Sequence, residues 1–232
     1  MADERARLDL DRVDRDATWL GGRPSLPGQG GTGLVDILAG PDINVQGGGA
    51  TRTVSRSGET LLLFDSGGAA LREYAGTSAG LDAASAAATA GDVITIPTII
   101  IGDDHILTAD VHYKGISRYA TVLTGMITGG AGTTLECLTV ERTANDANIL
   151  RGIVGPATGT MKIRDCDVTT TQSGAGNSYA VCSEAGGDVE VWLCAIDGQS
   201  VGGIGYGGNR AGAGNLYIYG GRCVGSSYPC SE

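Results

Sequence analysis

Apolar residues in the second half of the chain follow a pattern that returns every 27 or 28 positions. Four segments carry it: 133–140, 161–168, 189–196 and 216–223. At offsets zero, two, five and seven the residues are apolar or small, with Thr133 the polar exception. They are Leu135, Leu138 and Val140; Met161, Ile163, Cys166 and Val168; Val189, Val191, Cys194 and Ile196; Leu216, Ile218, Gly221 and Cys223. A step of two is the alternation of a strand, whose successive side chains point to opposite faces. The step of three between offsets two and five requires a bend or bulge that keeps both residues inside. Second apolar stretches at 148–154, 177–182 and 201–206 lie between these segments, joined by the turn signals Gly155-Pro156, Ser173-Gly174, Gly186-Gly187 and Gly207-Gly208. Each repeat therefore holds several short strands, and repeats stacked on one another form a solenoid. The predicted fold class is all-β, a right-handed parallel β-helix of four or five coils over residues 92–232.

Upstream the pattern changes. Residues 78–90 are alanine-rich, with Ser78 as candidate N-cap and Gly91 where helices stop, so a short helix over 77–91 is predicted to cap the first coil. Residues 51–56 and 60–65 flank the turn signal Ser57-Gly58 and predict a β-hairpin. Its apolar run Leu61, Leu62, Leu63 and Phe64 would aggregate if left bare, which makes these four residues candidates for oligomerisation. With the Gly/Pro-rich stretch before it, this hairpin forms a neck over 21–76. Residues 1–20 alternate acidic and basic charges without Gly or Pro and read as a short helix or a charged arm that orders on docking.

Composition adds a reason for the turns. Forty glycines in 232 residues, with one Phe and two Trp, describe a chain of tight corners with a core of small and β-branched residues. A net charge of −10 repels a phosphate backbone, so nucleic acid is not an expected partner. No apolar run reaches the length needed to span a bilayer, and the first 20 residues are charged rather than apolar, so synthesis in a cytoplasm without membrane insertion is expected. The six cysteines, all beyond residue 136, are expected as reduced, mostly buried thiols, with Cys166 and Cys194 stacked in adjacent coils. Cys223 and Cys230 are near enough in sequence to leave a disulfide open.

The outward positions hold the candidate chemistry. Glu136 should lie over Arg164 and Lys162 over Glu190, an ordinary charge ladder. Trp192, Tyr217 and Tyr219 form an outward aromatic cluster, suited to stacking on sugar rings or to a subunit contact, or simply covered by a neighbouring loop. Asp165, Asp167 and Asp188, with Asp197 near them, are the candidates for a carboxylate pair flanking a glycosidic bond. His105 and His112 are the two histidines and lack zinc-ligand spacing, so neither a metal nor another cofactor is expected. Gly203–Gly208 matches a dinucleotide-type glycine pattern but lacks the strand–turn–helix context and reads as a coil corner.

The order of an Ala-rich helix, Gly91-Asp-Val-Ile-Thr-Ile96, Val111-His-Tyr-Lys-Gly-Ile116, Thr121-Val-Leu-Thr-Gly125 and Leu135-Glu-Cys-Leu-Thr-Val140 resembles the pectate-lyase-like right-handed parallel β-helix family. Within that family it is most similar to bacteriophage tail fibres and tailspikes. The resemblance implies a homotrimeric virion protein of the phage tail. Its N-terminal region would join other tail or baseplate proteins, and its β-helix would meet a host surface polysaccharide or receptor. It also implies two alternatives, a polysaccharide-degrading spike (lyase or glycoside hydrolase) and a head fibre or decoration protein. The small number of coils leaves little room for a catalytic cleft and favours the attachment role.

Overall fold

The computed structural model describes residues 60–184, 186–210 and 212–231, together with the strands 43–46 and 53–56. The charged arm expected over 1–20 lies outside the described residues. The chain divides into two compact units after Ser57. In the first, β1 (Ile43–Gln46) and β2 (Thr53–Arg56) pair antiparallel. The second unit is the predicted parallel β-helix.

That unit opens with β3 (Thr60–Phe64) and β4 (Ala70–Ala75), an antiparallel pair. The strand 60–64 thus finds its hairpin partner downstream, in β4. The turn that decides this is Asp65–Gly68. The Asp65 carboxylate accepts the Gly67 and Ala69 amides at 2.9 and 2.8 Å, and Gly68 takes φ 86°, a backbone region open to glycine. Helix α1 (Ser78–Ala87) follows, capped one residue earlier than predicted, by the Thr77 hydroxyl accepting from the Gly80 amide at 3.1 Å.

The coils then run through three faces. The first coil is β5 (Val93–Ile96), β6 (Ile99–Ile101) and β7 (His105–Ile106). The second is β8 (His112–Gly115), β9 (Thr121–Leu123) and β10 (Ile127–Thr128). β11 (Thr134–Glu136), β12 (Thr139–Ala144) and β13 (Leu150–Val154) form the third, and β14 (Thr160–Arg164), β15 (Asp167–Gln172) and β16 (Ser178–Ser183) the fourth. β17 (Asp188–Ser200) spans the first two faces without interruption before β18 (Gly205–Arg210), and β19 (Leu216–Gly225) does the same before β20 (Tyr228–Ser231). Every pairing between coils is parallel, while β3 joins β5 antiparallel.

The register is the predicted one where the coils are long: Leu135 pairs with Ile163, Met161 with Val189, and Ile196 with Cys223. Leu135, Leu138 and Val140 and their counterparts in the next two coils are buried. Leu216, Ile218 and Cys223 are half-buried against the same core. Earlier coils are shorter, with Val93 paired to His112 and His112 to Thr134.

Leu61 and Leu63 are 0% and 2% exposed within this same core. Their pleat turns them inward onto the first coil, while Leu62 and Phe64 turn outward. The chain therefore covers for itself half of the run expected to need another subunit. Helix α1, with Leu81 and Ala84, and its C-cap Ala88 close the end of the core. Buried Tyr113 donates its hydroxyl to Ser85 Oγ at 3.0 Å and accepts from the Thr108 amide at 2.9 Å, so the cap is bonded as well as packed.

Four cysteines, Cys137, Cys166, Cys182 and Cys194, are free, and Cys223 is disulfide-bonded, the possibility the sequence leaves open near the C-terminal end. Cys166 and Cys194 stack in adjacent coils as predicted, with the Cys166 amide 3.4 Å from Cys194 Sγ. Gly198 shows why so many glycines are needed, because a Cβ there would lie 1.8 Å from the Tyr206 carbonyl oxygen. The stretch Gly203–Gly208 enters strand β18, and no helix follows it among the described residues.

Candidate functional site

The step of three in the repeat has a definite cause. Its middle residue is left-handed in four successive coils: Cys137 (φ 56°), Asp165 (φ 48°), Leu193 (φ 54°) and Gly220 (φ 72°). One residue in this conformation turns the chain from the first face to the second and lets offsets two and five both point inward.

In the second coil a loop replaces this corner. Eight positions separate Lys114 from Val122, against three between their register partners Glu136 and Thr139. The loop turns on hydrogen bonds from the Ala120 and Thr121 amides to the Ser117 carbonyl, at 3.1 and 2.9 Å. The Thr121 hydroxyl anchors it by donating to the Pro97 carbonyl at 2.8 Å, and the Thr139 hydroxyl donates to the Arg118 carbonyl. Arg118 and Tyr119 are thereby carried out over the second face.

Arg118 is the hub of the site. Its guanidinium lies 5.0 Å from the Tyr119 ring centre and donates to the Tyr119 hydroxyl at 2.9 Å. It faces Asp165 at 3.3 Å and Asp167 at 3.8 Å. The Tyr119 hydrogen bond, then the two carboxylates, raise the guanidinium above its ordinary pKa. Below this overhang runs a groove of about 370 Å³, lined by Arg118, Tyr119, Glu141, Asp167, Asp197 and Arg222. Arg222 reaches Asp197 at 3.4 Å, and Gln199 donates to the same carboxylate.

A second cavity of about 360 Å³ lies at the corner itself, between Glu136, Cys137, Arg164, Asp165, Trp192 and Leu193. The predicted aromatic cluster stands here. Trp192 and Tyr219 stack at 4.0 Å with 21° between planes, and Tyr217 lies 6.4 Å from Tyr219. Trp192 and Tyr219 are register partners, so each covers one face of the other. Glu136 pairs with Lys114 at 3.3 Å, and its other oxygen lies 2.9 Å from His112 Nε2 but off the hydrogen-bond direction.

Of the three predicted carboxylates, the structure brings together two. Asp165 and Asp167 both face Arg118 Nη1, at 3.3 and 3.8 Å, which puts the two oxygens no more than about 7 Å apart. The guanidinium bridges them, however, where a scissile bond would have to sit. Asp188 is used elsewhere, accepting from the Asn215 amide and side chain at 2.8 and 3.0 Å to tie two coils together. His105 fastens helix α1 to the first coil, 2.8 Å from Asp82 and 2.9 Å from the Gly102 carbonyl. Among the described residues no three His, Cys, Asp or Glu side chains gather as a metal site.

Two features escaped the sequence reading. The overhang of Arg118 and Tyr119 has no counterpart in the other coils, so periodicity could not reveal it. On the third face Tyr179, Tyr206 and Tyr228 form a ladder with ring centres 5.4 and 5.3 Å apart. Here the signal was present, since Tyr179 and Tyr206 are separated by the repeat itself. Neither a family model, nor a curated protein, nor a solved structure matches the chain.

Proposed function

We propose that this chain is a bacteriophage virion structural protein of the tail-fibre or tailspike type, which attaches the particle to a polysaccharide or other receptor on the host surface. The observation that carries the reading is the groove beneath Arg118 and Tyr119. Its polar side chains are fixed on a stiff parallel sheet, and an aromatic ring stands at its rim. Fixed hydrogen-bonding groups beside an aromatic ring suit a sugar, whose hydroxyls need directed partners and whose C–H faces favour a ring. The phage assignment and the homotrimer rest on the resemblance of the coil order to tail fibres and tailspikes. The trimer draws no support from Leu61 and Leu63, which the chain's own core occupies.

In this reading the N-terminal region joins the virion and the solenoid projects outward. The polysaccharide-degrading alternative asks Asp165 and Asp167 to act across a bond, and the bridging guanidinium of Arg118 stands against it. The test is titration calorimetry of the purified chain with surface polysaccharide from its host. Binding that weakens at least about tenfold in Arg118→Ala, equivalent to one charge-assisted hydrogen bond, is expected. Absence of binding to every host polysaccharide tried, or full affinity in Arg118→Ala, would overturn the assignment of the groove. Release of reducing ends during the titration would favour the enzyme instead.

A further inference from the structure

Resting on that reading, we infer that the groove selects an uncharged glycan and discriminates against acidic polysaccharides. Both of its guanidiniums already face carboxylates: Arg118 meets Asp165 and Asp167, and Arg222 meets Asp197. Glu141 is exposed on the same wall and makes no ion pair among the described residues. Four carboxylates thus stand around two guanidiniums, on a chain whose net charge is −10. A uronic or sialic acid entering here would have to displace a resident carboxylate from its arginine while lying close to the others.

A neutral polyol meets no such obstacle. Each sugar hydroxyl both donates and accepts. The carboxylates of Glu141 and Asp197 can accept from it. Arg222, which spends only Nη2 on Asp197, keeps other N–H groups to donate. Tyr119 is 77% exposed, with Arg118 over its ring, and its remaining surface is open to the C–H face of a pyranose. At separations of about 7 Å in a solvent-exposed groove, two uncompensated negative charges weaken an added acid by roughly tenfold at low ionic strength.

The experiment uses the full chain and matched oligosaccharides that differ in charge alone: glucose against glucuronic acid oligomers, and galactose against galacturonic acid oligomers of equal length, printed on one array. Wild-type chain should bind neutral members at least about tenfold better than their acidic partners at low salt, with the gap narrowing as salt rises. Glu141→Lys, checked for an unchanged far-UV spectrum, should close or reverse the gap. Acidic members bound as well as neutral ones would overturn the selectivity while leaving the attachment reading intact. An unchanged preference in a folded Glu141→Lys variant would likewise remove the electrostatic cause. Failure of every glycan on the array and of the host polysaccharide would overturn both readings together.

Discussion

The left-handed corner makes a prediction that runs against ordinary strand behaviour. Leu193 lies inside strand β17 and is 68% exposed, yet its φ is 54°. A left-handed L-residue costs roughly 1–2 kcal/mol. Leu193→Gly removes that cost, returns about 0.4–1 kcal/mol through a freer unfolded chain, and loses the buried third of the leucine, roughly 0.5–1 kcal/mol. These contributions nearly cancel, so the glycine variant should stay within about 1 kcal/mol of wild type. Leu193→Val puts a β-branched residue at positive φ and should cost about 1–2 kcal/mol. At an ordinary exposed strand position the ranking is opposite, with valine at least as good as leucine and glycine the worst. Urea denaturation at constant m, supported by a Tm lowered by roughly 2–8 °C for the valine, reads the order directly. A valine variant as stable as wild type alongside a clearly weakened glycine variant would refute the corner.

Further outcomes follow from packing and titration. Ile163→Ala, buried between Leu135 and Val191 of the neighbouring coils, should cost roughly 2–5 kcal/mol, whereas half-buried Ile218, with a register partner in β17 only, should cost about half as much; denaturant midpoints compare them. Burial pushes the Cys182 thiol up to about 12 and raises Cys166 as well, so neither should react with a thiol reagent at pH 8 until the chain unfolds, while half-buried Cys137 should react first. Burial, opposed by Glu136, lowers the His112 pKa from its ordinary 6.5. As pH falls through 6.5 the unfolded chain takes the proton first. The His112 contribution to stability is therefore lost from about pH 6.5 down to the folded pKa, and His112→Gln should flatten that part of the stability curve.

The long coils were legible in the sequence because stacking requires the same kind of residue at each inward position. Ile163, Val191 and Ile218 occupy one offset, and so do Cys166 and Cys194. The first coils hid the same architecture, since their returns of 19 and 22 positions break the period and left only isolated strands to read. The strand at Leu61 pairs with β4 across the Asp65–Gly68 turn, a turn signal no plainer in the sequence than Ser57-Gly58. The side-chain bonding of Asp65 settles the choice, and composition does not encode it. At the site, Trp192, Tyr217 and Tyr219 were visible as a column, but not that Trp192 and Tyr219 turn their faces to one another. Asp165 and Asp167 were visible as neighbours, whereas Arg118, 47 residues before Asp165, comes to them only through a loop with no repeat.

The proposed role as a tail attachment protein is tested most directly by locating the chain on particles. Purified virions would be labelled with an antibody against the solenoid and imaged, with copies counted per labelled structure. The account predicts label on the tail, distal to the point of virion attachment, in multiples of three. Label confined to the head, or particles without the chain, would contradict it.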